Sequence, residues 1–220
     1  MSVTQGSDTR EVITQAALAF IDEHGVDALT LRALGQAVGI HHTAIYRHFA
    51  SRDEVLGAVM GVVMRETLDD LPQDLEDPRE RLLGLIRNLR RAFHTHPGVI
   101  RAALVPAPQI ADTQPAQVFF GMVVQALRDA GLDGPDLAIH VRILEGYAIG
   151  TTVFDFAGAP VHLESRRQRY RAVPDAAFEA PSRDEAGIDA LNEAAFDAGL
   201  VVLVDACLAA GRRAREQGPI

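Results

Sequence analysis

Three of the chain's eight histidines lie within the short stretch GIHHTAIYRHF, residues 39–49, beside an arginine and a tyrosine. Imidazole groups bind metal ions, transfer protons or form hydrogen bonds to other molecules. The stretch is therefore a candidate metal site, acid/base site or recognition surface, and the spacing of its residues helps to separate these alternatives.

Side-chain direction argues against the metal site. Metal ligands that share one helical face are three, four or seven residues apart, whereas the adjacent His41 and His42 point about 100° apart. His41 and His48 are seven residues apart, but no Asp, Glu or Cys between Thr30 and Arg52 completes a site. Acid/base catalysis needs a concave pocket, and a short helix rich in Arg, Tyr and His near the N-terminus is expected to be exposed. A recognition surface explains the Arg, Tyr and His content of residues 39–49 better than a metal site or a catalytic site does.

The charge distribution supports this interpretation. The 220-residue chain has a net charge of −9, which disfavours nonspecific coating of nucleic acid. Residues 30–52, however, contain three arginines and no acid, so this window carries +3 and the rest of the chain −12. All 21 basic residues are arginine, whose planar guanidinium suits phosphate and guanine.

Composition also excludes several classes. With 48% hydrophobic residues the chain can bury a core, and no apolar run of 18 residues or signal-peptide pattern is present. We therefore expect a cytoplasmic protein. Cys207 is the single cysteine, so we expect a buried structural thiol, no disulfide and no cofactor or metal held by cysteine clusters.

Apolar periodicity predicts an all-α fold of about nine helices. Asp8 and Glu11 form a capping-box pattern before the first helix, and Ser51 and Glu54 form another before a longer helix. Thr30 and Gly39 are suited to cap the start and end of a short helix, and a tight turn at Gly39 gives a helix-turn-helix arrangement. Apart from the longer helix starting at Ser51 and a short helix after Pro97, we predict helices over about 9–24, 31–38, 42–49, 78–94, 113–130, 135–157 and 185–213.

Two domains follow from this pattern. Residues 8–54 are predicted to form a small three-helix, helix-turn-helix domain, and residues 55–220 a larger helical domain. The helix over 135–157 is apolar nearly all round, so it should be buried on more than one side. Prolines and an arginine cluster predict a mobile connection over about 158–184, with one or two helical turns near 163–171.

The run LTLRALGQAVGI (29–40), followed by IYRHF (45–49) and SRDE (51–54), resembles the DNA-binding region of TetR-family transcriptional repressors. A weaker similarity of FDAGL (196–200) and LVD (203–205) concerns the last helix of tetracycline-repressor-like members. The family commonly has a small capping residue where His41 stands, so the start of this recognition helix should be capped differently and its base preference should be its own.

In such a motif the start of the second helix approaches base edges, while flanking residues hold phosphates. The base-facing candidates are His41, His42, Thr43 and Ala44. By resemblance Tyr46 and His48 contact phosphates, and Arg47 could reach guanine or the backbone. Thr30, Arg32 and Arg52 would complete the clamp. The alternative for Tyr46 in particular is packing in the three-helix core.

The acidic remainder should form a homodimer and receive a signal. Dimers present two recognition helices about 34 Å or a multiple apart, which predicts a palindromic double-stranded operator. The last two long helices are candidates for a four-helix bundle with their copies. The interface candidates are Gly146, Gly150, Gly199, Leu200 and Leu203. Alternatively, these glycines relieve crowding inside one subunit.

The family's signal pocket lies among the central helices and suggests a small, largely apolar effector. The matching residues are Met60, Met64, Phe93, Phe119, Met122, Tyr147, Thr151 and Phe154, which are also consistent with plain core. His94, His96 and His140 are candidates for a metal or an acidic ligand, or for satisfied structural roles. The alternatives to a ligand-released repressor are a regulator controlled by a protein partner and an all-helical enzyme using the His94/His96 region.

Overall fold

The computed structural model of the chain describes residues 3–69, 71, 76–103, 113–156 and 161–217. Within these ranges the chain forms ten α-helices, two short 3-10 helices and no strand, which confirms the all-α prediction. The helices are α1 Val3–His24, α2 Leu31–Val38, α3 His42–Ile45, α4 Arg52–Asp69, α5 Pro78–Thr95, α6 Pro97–Ala103, α7 Gln114–Asp129, α8 Gly134–Phe156, α9 Val161–Arg171 and α10 Glu185–Gln217.

Two compact units divide the chain. The first comprises Met1–Leu71 with Arg91–Gly121, and the second comprises Pro72–Arg90 with Met122–Ile220. The first unit therefore includes more than the predicted DNA-binding segment 8–54. That boundary concerns function, and it stays a prediction.

Helix α1 begins earlier than predicted. It starts at Val3, so Asp8 lies inside the helix, and the predicted capping box at Asp8 and Glu11 is wrong. The residues before Asp8 contain no proline, and nothing in them prevents the helix from continuing toward the N-terminus. The apolar stripe of this helix is as expected, because Ile13, Ala17 and Ile21 are completely buried.

The second helix has the predicted ends. The Thr30 hydroxyl accepts a hydrogen bond from the amide of Ala33 at 3.0 Å. Gly39 ends the helix in the left-handed conformation, at φ 76°, which favours glycine because it lacks a Cβ. The amide of Ile40 then bonds to the Gly35 carbonyl at 2.9 Å, which turns the chain toward α3.

The third helix is shorter than its predicted range of 42–49. Regular helix ends at Ile45, and the chain continues as a turn in which the amides of His48 and Phe49 both bond to the Ile45 carbonyl at 2.9 Å. Ile45 and Phe49 are completely buried, as predicted, and they anchor this turn in the three-helix core.

Helix α8 and the segment that follows it differ from the predictions. Helix α8 was expected to be buried on more than one side, yet Ile139, Ile143 and Phe154 are exposed. The segment 158–184 was predicted to be a mobile connection with one or two helical turns near 163–171, and the structure has the eleven-residue helix α9 there, followed by a 3-10 turn at Ala176–Phe178. Helix α9 is the additional helix that brings the described total to ten, against the nine predicted.

Candidate nucleic-acid interface and effector region

His41 caps the helix that follows it. Its Nδ1 accepts a hydrogen bond from the amide of Thr43 at 3.4 Å and lies 2.8 Å from the Thr43 hydroxyl oxygen. An imidazole nitrogen that accepts carries no hydrogen, so the proton of a neutral His41 in this cap is on Nε2. The small capping residue common in the resembling family is thus replaced by an imidazole. The side chain of His42 lies outside the described part of the structure.

The rest of the candidate interface is solvent-accessible. Thr43, Arg47 and Arg32 are exposed, Ala44 and His48 are partly exposed, and Tyr46 is 56% exposed. The alternative in which Tyr46 packs the core is therefore wrong, because Ile45 and Phe49 fill that space. Arg32 and Arg47 are thus exposed within a sequence window that contains no acid, and such side chains can bind a polyanion.

Two of the predicted contacts have partners within the protein. Arg52 donates from Nε to the Leu29 carbonyl at 2.8 Å and from Nη2 to the Val26 carbonyl at 2.7 Å. Its guanidinium thus fixes the start of α4 to the segment before α2. Thr30 likewise uses its hydroxyl as a helix cap. These bonds favour a structural role for both side chains over a direct phosphate contact.

Arg10 contributes to the same region and was not among the predicted residues. Its Nη2 donates to Glu54 Oε1 at 2.8 Å, its Nη1 donates to the His48 carbonyl, and its guanidinium carbon lies 4.1 Å from the centre of the Phe49 ring. The sequence did offer one signal for this role. Arg10 lies three residues before the buried Ile13, on the face of α1 that carries the apolar stripe.

The second capping box is confirmed, except that the Glu54 side chain bonds to the amide of Ala50 and not to that of Ser51. The Ser51 hydroxyl accepts from the Glu54 amide at 3.1 Å, and Glu54 Oε2 accepts from the Ala50 amide at 2.7 Å. The hydrogen bond from Ala50, reinforced by Arg10, lowers the pKa of Glu54 from its usual range, against the opposing effect of burial. Glu54 is therefore a carboxylate wherever DNA binding is measured near neutral pH.

The histidines considered as ligands have structural partners. His96 lies between two carboxylates, with Nδ1 2.7 Å from Asp22 and Nε2 3.0 Å from Glu66. His140 Nδ1 is 2.7 Å from the carbonyl of Asp136 in its own helix. Among the described residues no group of three or more His, Cys, Asp or Glu side chains is arranged to hold a metal.

The predicted effector residues fall in both compact units. In the first unit, Met60, Met64, Phe93 and Phe119 are buried core residues. In the second, Met122 is partly buried, and the Thr151 hydroxyl bonds to the Tyr147 carbonyl of its own helix at 2.6 Å.

Tyr147 and Phe154 also have partners in the second unit. The Tyr147 hydroxyl donates to the Phe196 carbonyl at 2.7 Å. Phe154 is 61% exposed, with the Arg166 guanidinium carbon 4.2 Å from its ring centre. The Tyr147 and Thr151 hydroxyls, which were expected to orient a ligand, therefore both donate to backbone carbonyls of the protein itself.

The predicted dimer residues separate into two groups. Gly146 and Gly150 are exposed on α8, and Leu203 is partly exposed on α10. Leu200 is completely buried within the chain, so it is not part of an exposed surface. A Cβ on Gly199 would collide with the Tyr147 hydroxyl, so Gly199 relieves crowding inside one subunit, as the alternative interpretation held.

A buried ionic cluster holds α9 in the second unit. Asp155 accepts from Arg90 Nη2 at 2.9 Å and from Arg166 Nη1 at 2.7 Å, and all three side chains are almost fully buried. Arg166 also bonds to Asn192 Oδ1 and to the Phe154 carbonyl, and Arg90 pairs with the more exposed Glu193. The prolines and the arginine cluster of residues 158–184 predicted mobility, because the sequence alone does not show which acids bind these arginines.

A capped, exposed second helix joined by a glycine turn to a preceding helix defines the class of helix-turn-helix DNA-binding proteins. Comparison with known proteins agrees with this class. Residues 13–59 match the family model described as bacterial regulatory proteins, tetR family. Over 200 residues the chain is 29% identical to the tetracycline repressor protein class A from transposon 1721 of Escherichia coli, covering 88% of this chain and 87% of that one.

Solved structures extend the similarity along the chain. Apo ActR from Streptomyces coelicolor has a TM-score of 0.72 at 25% identity, covering 93% of this chain and 97% of that chain. A possible TetR family transcriptional regulator from Streptomyces coelicolor A3(2) has a TM-score of 0.68 at 28% identity, covering 91% and 99%. The N-terminal segment is thus similar to the DNA-binding region of the tetR family, and the chain as a whole is similar to transcriptional regulators of that family. Because these relatives are regulators, the alternative of an all-helical enzyme is not supported.

Proposed function

We propose that this chain is a cytoplasmic repressor that binds a palindromic operator as a homodimer and is released by a small, largely apolar effector. The observation that carries the proposal is the exposed surface of α2 and α3 in the acid-free window of an acidic protein. Thr43 and Ala44 lie at the accessible start of α3, where a recognition helix meets base edges. Arg32, Arg47, Tyr46 and His48 flank it as candidate phosphate contacts.

The proposed dimer uses the exposed apolar faces of α8 and α10. On α8, Ile139 and Ile143 are exposed one turn apart, and Gly146 and Gly150 continue the same face toward Phe154. An open groove of about 360 Å³ beside the glycines is lined by Arg142, Glu145, Gly146, Ile149 and Gly150. The absence of a side chain at Gly150 leaves open space through which a partner helix could approach closely, whereas the flexible Arg142 side chain lies over Gly146.

Helix α10 presents a matching face. Val202 is 66% exposed, and Ala198 and Ala206 are exposed one turn before and after it. Within the described residues one helix, 185–216, is long and apolar enough to cross a membrane by length and composition alone. We interpret its apolarity as a dimer face, because two such helices from each copy can pack as a four-helix bundle.

The effector is proposed by class only. The relatives include a tetracycline repressor, and ActR has also been solved in complex with actinorhodin. The buried methionine and phenylalanine side chains of the first unit, Met60 and Phe119 among them, are consistent with an apolar ligand. A ligand that binds more tightly to a dimer with a different spacing of recognition helices would shift the equilibrium away from the operator.

Control by a protein partner is the remaining alternative. In that case no small molecule would release the DNA, and a second protein would act on the larger domain. A screen of apolar small molecules for release of bound operator separates the two mechanisms, because only the effector-controlled regulator responds.

Selection of bound DNA from a random pool tests the central proposal. The expected result is a palindrome bound by two copies of the chain. If Arg32 and Arg47 of each copy contact phosphates, the log of the affinity should fall with log salt at a slope of about −3 to −4. Absence of any sequence preference at low salt would refute the proposed function.

A further inference from the structure

The Arg10 side chain joins three parts of the first unit. It contacts the Glu54 carboxylate in the first turn of α4, the His48 carbonyl at the end of the turn after α3, and the face of the Phe49 ring. Phe49 is completely buried, whereas the Arg10 and Glu54 side chains are 41% and 37% exposed. One residue of α1 thus reaches both the end of the recognition segment and the helix that follows it.

The Glu54 carboxylate extends this connection. Its Oε1 accepts from Arg10, while its Oε2 accepts from the Ala50 amide at 2.7 Å. The Arg10 guanidinium therefore holds the His48 carbonyl and the Glu54 carboxylate, and that carboxylate in turn holds the Ala50 amide. The start of α3 is fixed separately by the His41 cap.

We propose that Arg10 is a positioning residue for DNA reading, which sets the orientation of α3 by holding its C-terminal turn against α1 and α4. This inference rests on the proposed DNA-binding function. Arg10 is expected to act through His48, Phe49 and Glu54, without itself touching a base or a phosphate.

The geometry favours positioning over simple stabilisation. A half-exposed ion pair such as Arg10–Glu54 contributes little to folding stability, because water screens it and long side chains lose entropy. Its directional contacts matter more, since a planar guanidinium can donate to two acceptors and stack on a ring at once. A lysine has the charge but not the fork, so it could keep one of these contacts and not all three.

A matched control is available on the same two helices. Arg65 of α4 pairs with Glu11 of α1 at 3.5 Å, and both side chains are about as exposed as the Arg10–Glu54 pair. Within the described part of the chain this pair bonds only to residues of α1 and α4, so Arg65→Gln removes an α1–α4 ion pair without releasing the recognition segment.

The experiment compares Arg10→Gln, Arg10→Lys, Glu54→Gln and Arg65→Gln in the full chain. Each variant is titrated with its selected operator duplex and with a scrambled duplex over a range of salt concentrations. We expect Arg10→Gln to bind the operator about tenfold more weakly, equivalent to losing one good base contact. Arg10→Lys should not restore the affinity, Glu54→Gln should show a smaller loss, and Arg65→Gln should bind like the unchanged chain. Binding to the scrambled duplex and the salt slope should stay unchanged.

Three results of this comparison would overturn the inference. An unchanged operator affinity in Arg10→Gln excludes positioning, and a salt slope reduced by about 2 per dimer identifies Arg10 as a phosphate contact. A mere loss of stability would lower the melting temperature while leaving the ratio of operator to scrambled binding unchanged, and that outcome also contradicts positioning.

Amide hydrogen exchange provides a readout that does not depend on DNA. In Arg10→Gln the amides of residues 46–50 should exchange faster, while those in the middle of α1 keep their protection. Unchanged exchange over 46–50 would contradict the inference even if no operator were found. If the unchanged chain binds no operator but Arg10→Gln shows the expected exchange, the proposed function fails and the structural role of Arg10 stands.

Discussion

Tyr147 of α8 donates its phenolic hydrogen to the Phe196 carbonyl of α10 at 2.7 Å, and the two rings stack with their centres 5.6 Å apart. Gly199 lies directly against the Tyr147 hydroxyl, and a Cβ at position 199 would collide with the hydroxyl oxygen. Burial raises the pKa of Tyr147, with the charges of Asp155 and Asp197 adding to the rise while Arg90 opposes it. Tyr147 is thus a neutral donor that joins α8 to α10 within one subunit.

Alanine substitutions at two glycines should separate folding from dimerisation. Gly199→Ala should destabilise the fold by about 1–3 kcal/mol, because the added methyl group displaces Tyr147. Gly150→Ala meets no atom within 4 Å in its own chain, so the subunit should keep its stability or gain up to about 1 kcal/mol of helix propensity. Denaturant unfolding measures the first effect, and sedimentation equilibrium should show weaker dimers for Gly150→Ala. Equal loss of stability in both variants would contradict this division.

Arg52 and Arg47 should differ in their effects on DNA binding. Arg47→Ala removes an exposed candidate phosphate contact, so its salt slope should become less steep by about 2 per dimer with the fold unchanged. Arg52→Ala removes hydrogen bonds to Val26 and Leu29, so it should lower the melting temperature and leave the slope nearly unchanged. Titration at several salt concentrations and thermal unfolding check both. A reduced slope for Arg52→Ala would show that it contacts phosphate after all.

The imidazole cap at His41 predicts a graded substitution series. His41→Ser supplies an ordinary capping hydroxyl and should preserve the stability of the first unit, whereas His41→Ala should cost about 1 kcal/mol. Both variants should change the preferred bases if His41 also reads DNA, because both remove the imidazole. Unfolding of each variant and a second random-pool selection give the two readouts. An unaltered consensus in both variants would assign His41 to capping alone.

The buried cluster around Asp155 should be the most sensitive part of the second unit. Asp155→Ala removes the carboxylate that accepts from both Arg90 and Arg166, and the loss of a buried ionic partner costs about 3–5 kcal/mol. Glu193→Gln changes an exposed partner of Arg90 and should cost less than about 1 kcal/mol. Chemical denaturation compares the two variants. Similar small effects would mean that α9 is held by apolar contacts instead.

Cys207 should be unreactive in the folded protein. Burial raises the pKa of its thiol to about 11, so at pH 8 the reactive thiolate is scarce as well as shielded. A thiol reagent should label it at the rate of unfolding or local opening, and labelling should accelerate in denaturant. Fast labelling of the native protein at pH 8 would show that α10 opens readily at this position.

Much of the fold was predictable from local signals. The bounds of α2 follow from Thr30 and Gly39, because an N-cap hydroxyl and a left-handed glycine act within four residues of their own position. The exposure of Arg47 within the acid-free window 30–52 follows from composition and from the burial of Ile45 and Phe49. These features need no knowledge of distant parts of the chain.

Other features depended on long-range contacts. The roles of Arg52 and Arg10 are set by carbonyls and a carboxylate 23 to 44 residues away in the sequence. The residues next to each arginine do not show which of these distant groups it will meet. Helical turns near 163–171 were predicted from the sequence, but the position of α9 is fixed by bonds of Arg166 to Asp155 and Asn192, which lie elsewhere in the chain.

The sequence by itself determined an all-helical chain with a basic helix-turn-helix at its start, because capping, periodicity and charge are local properties. Only the tertiary structure decided which arginines are free to meet DNA and which glycine serves its own subunit. The physical reason is that a guanidinium or a missing side chain acquires its role from the atoms packed against it, and those atoms come from distant parts of the chain.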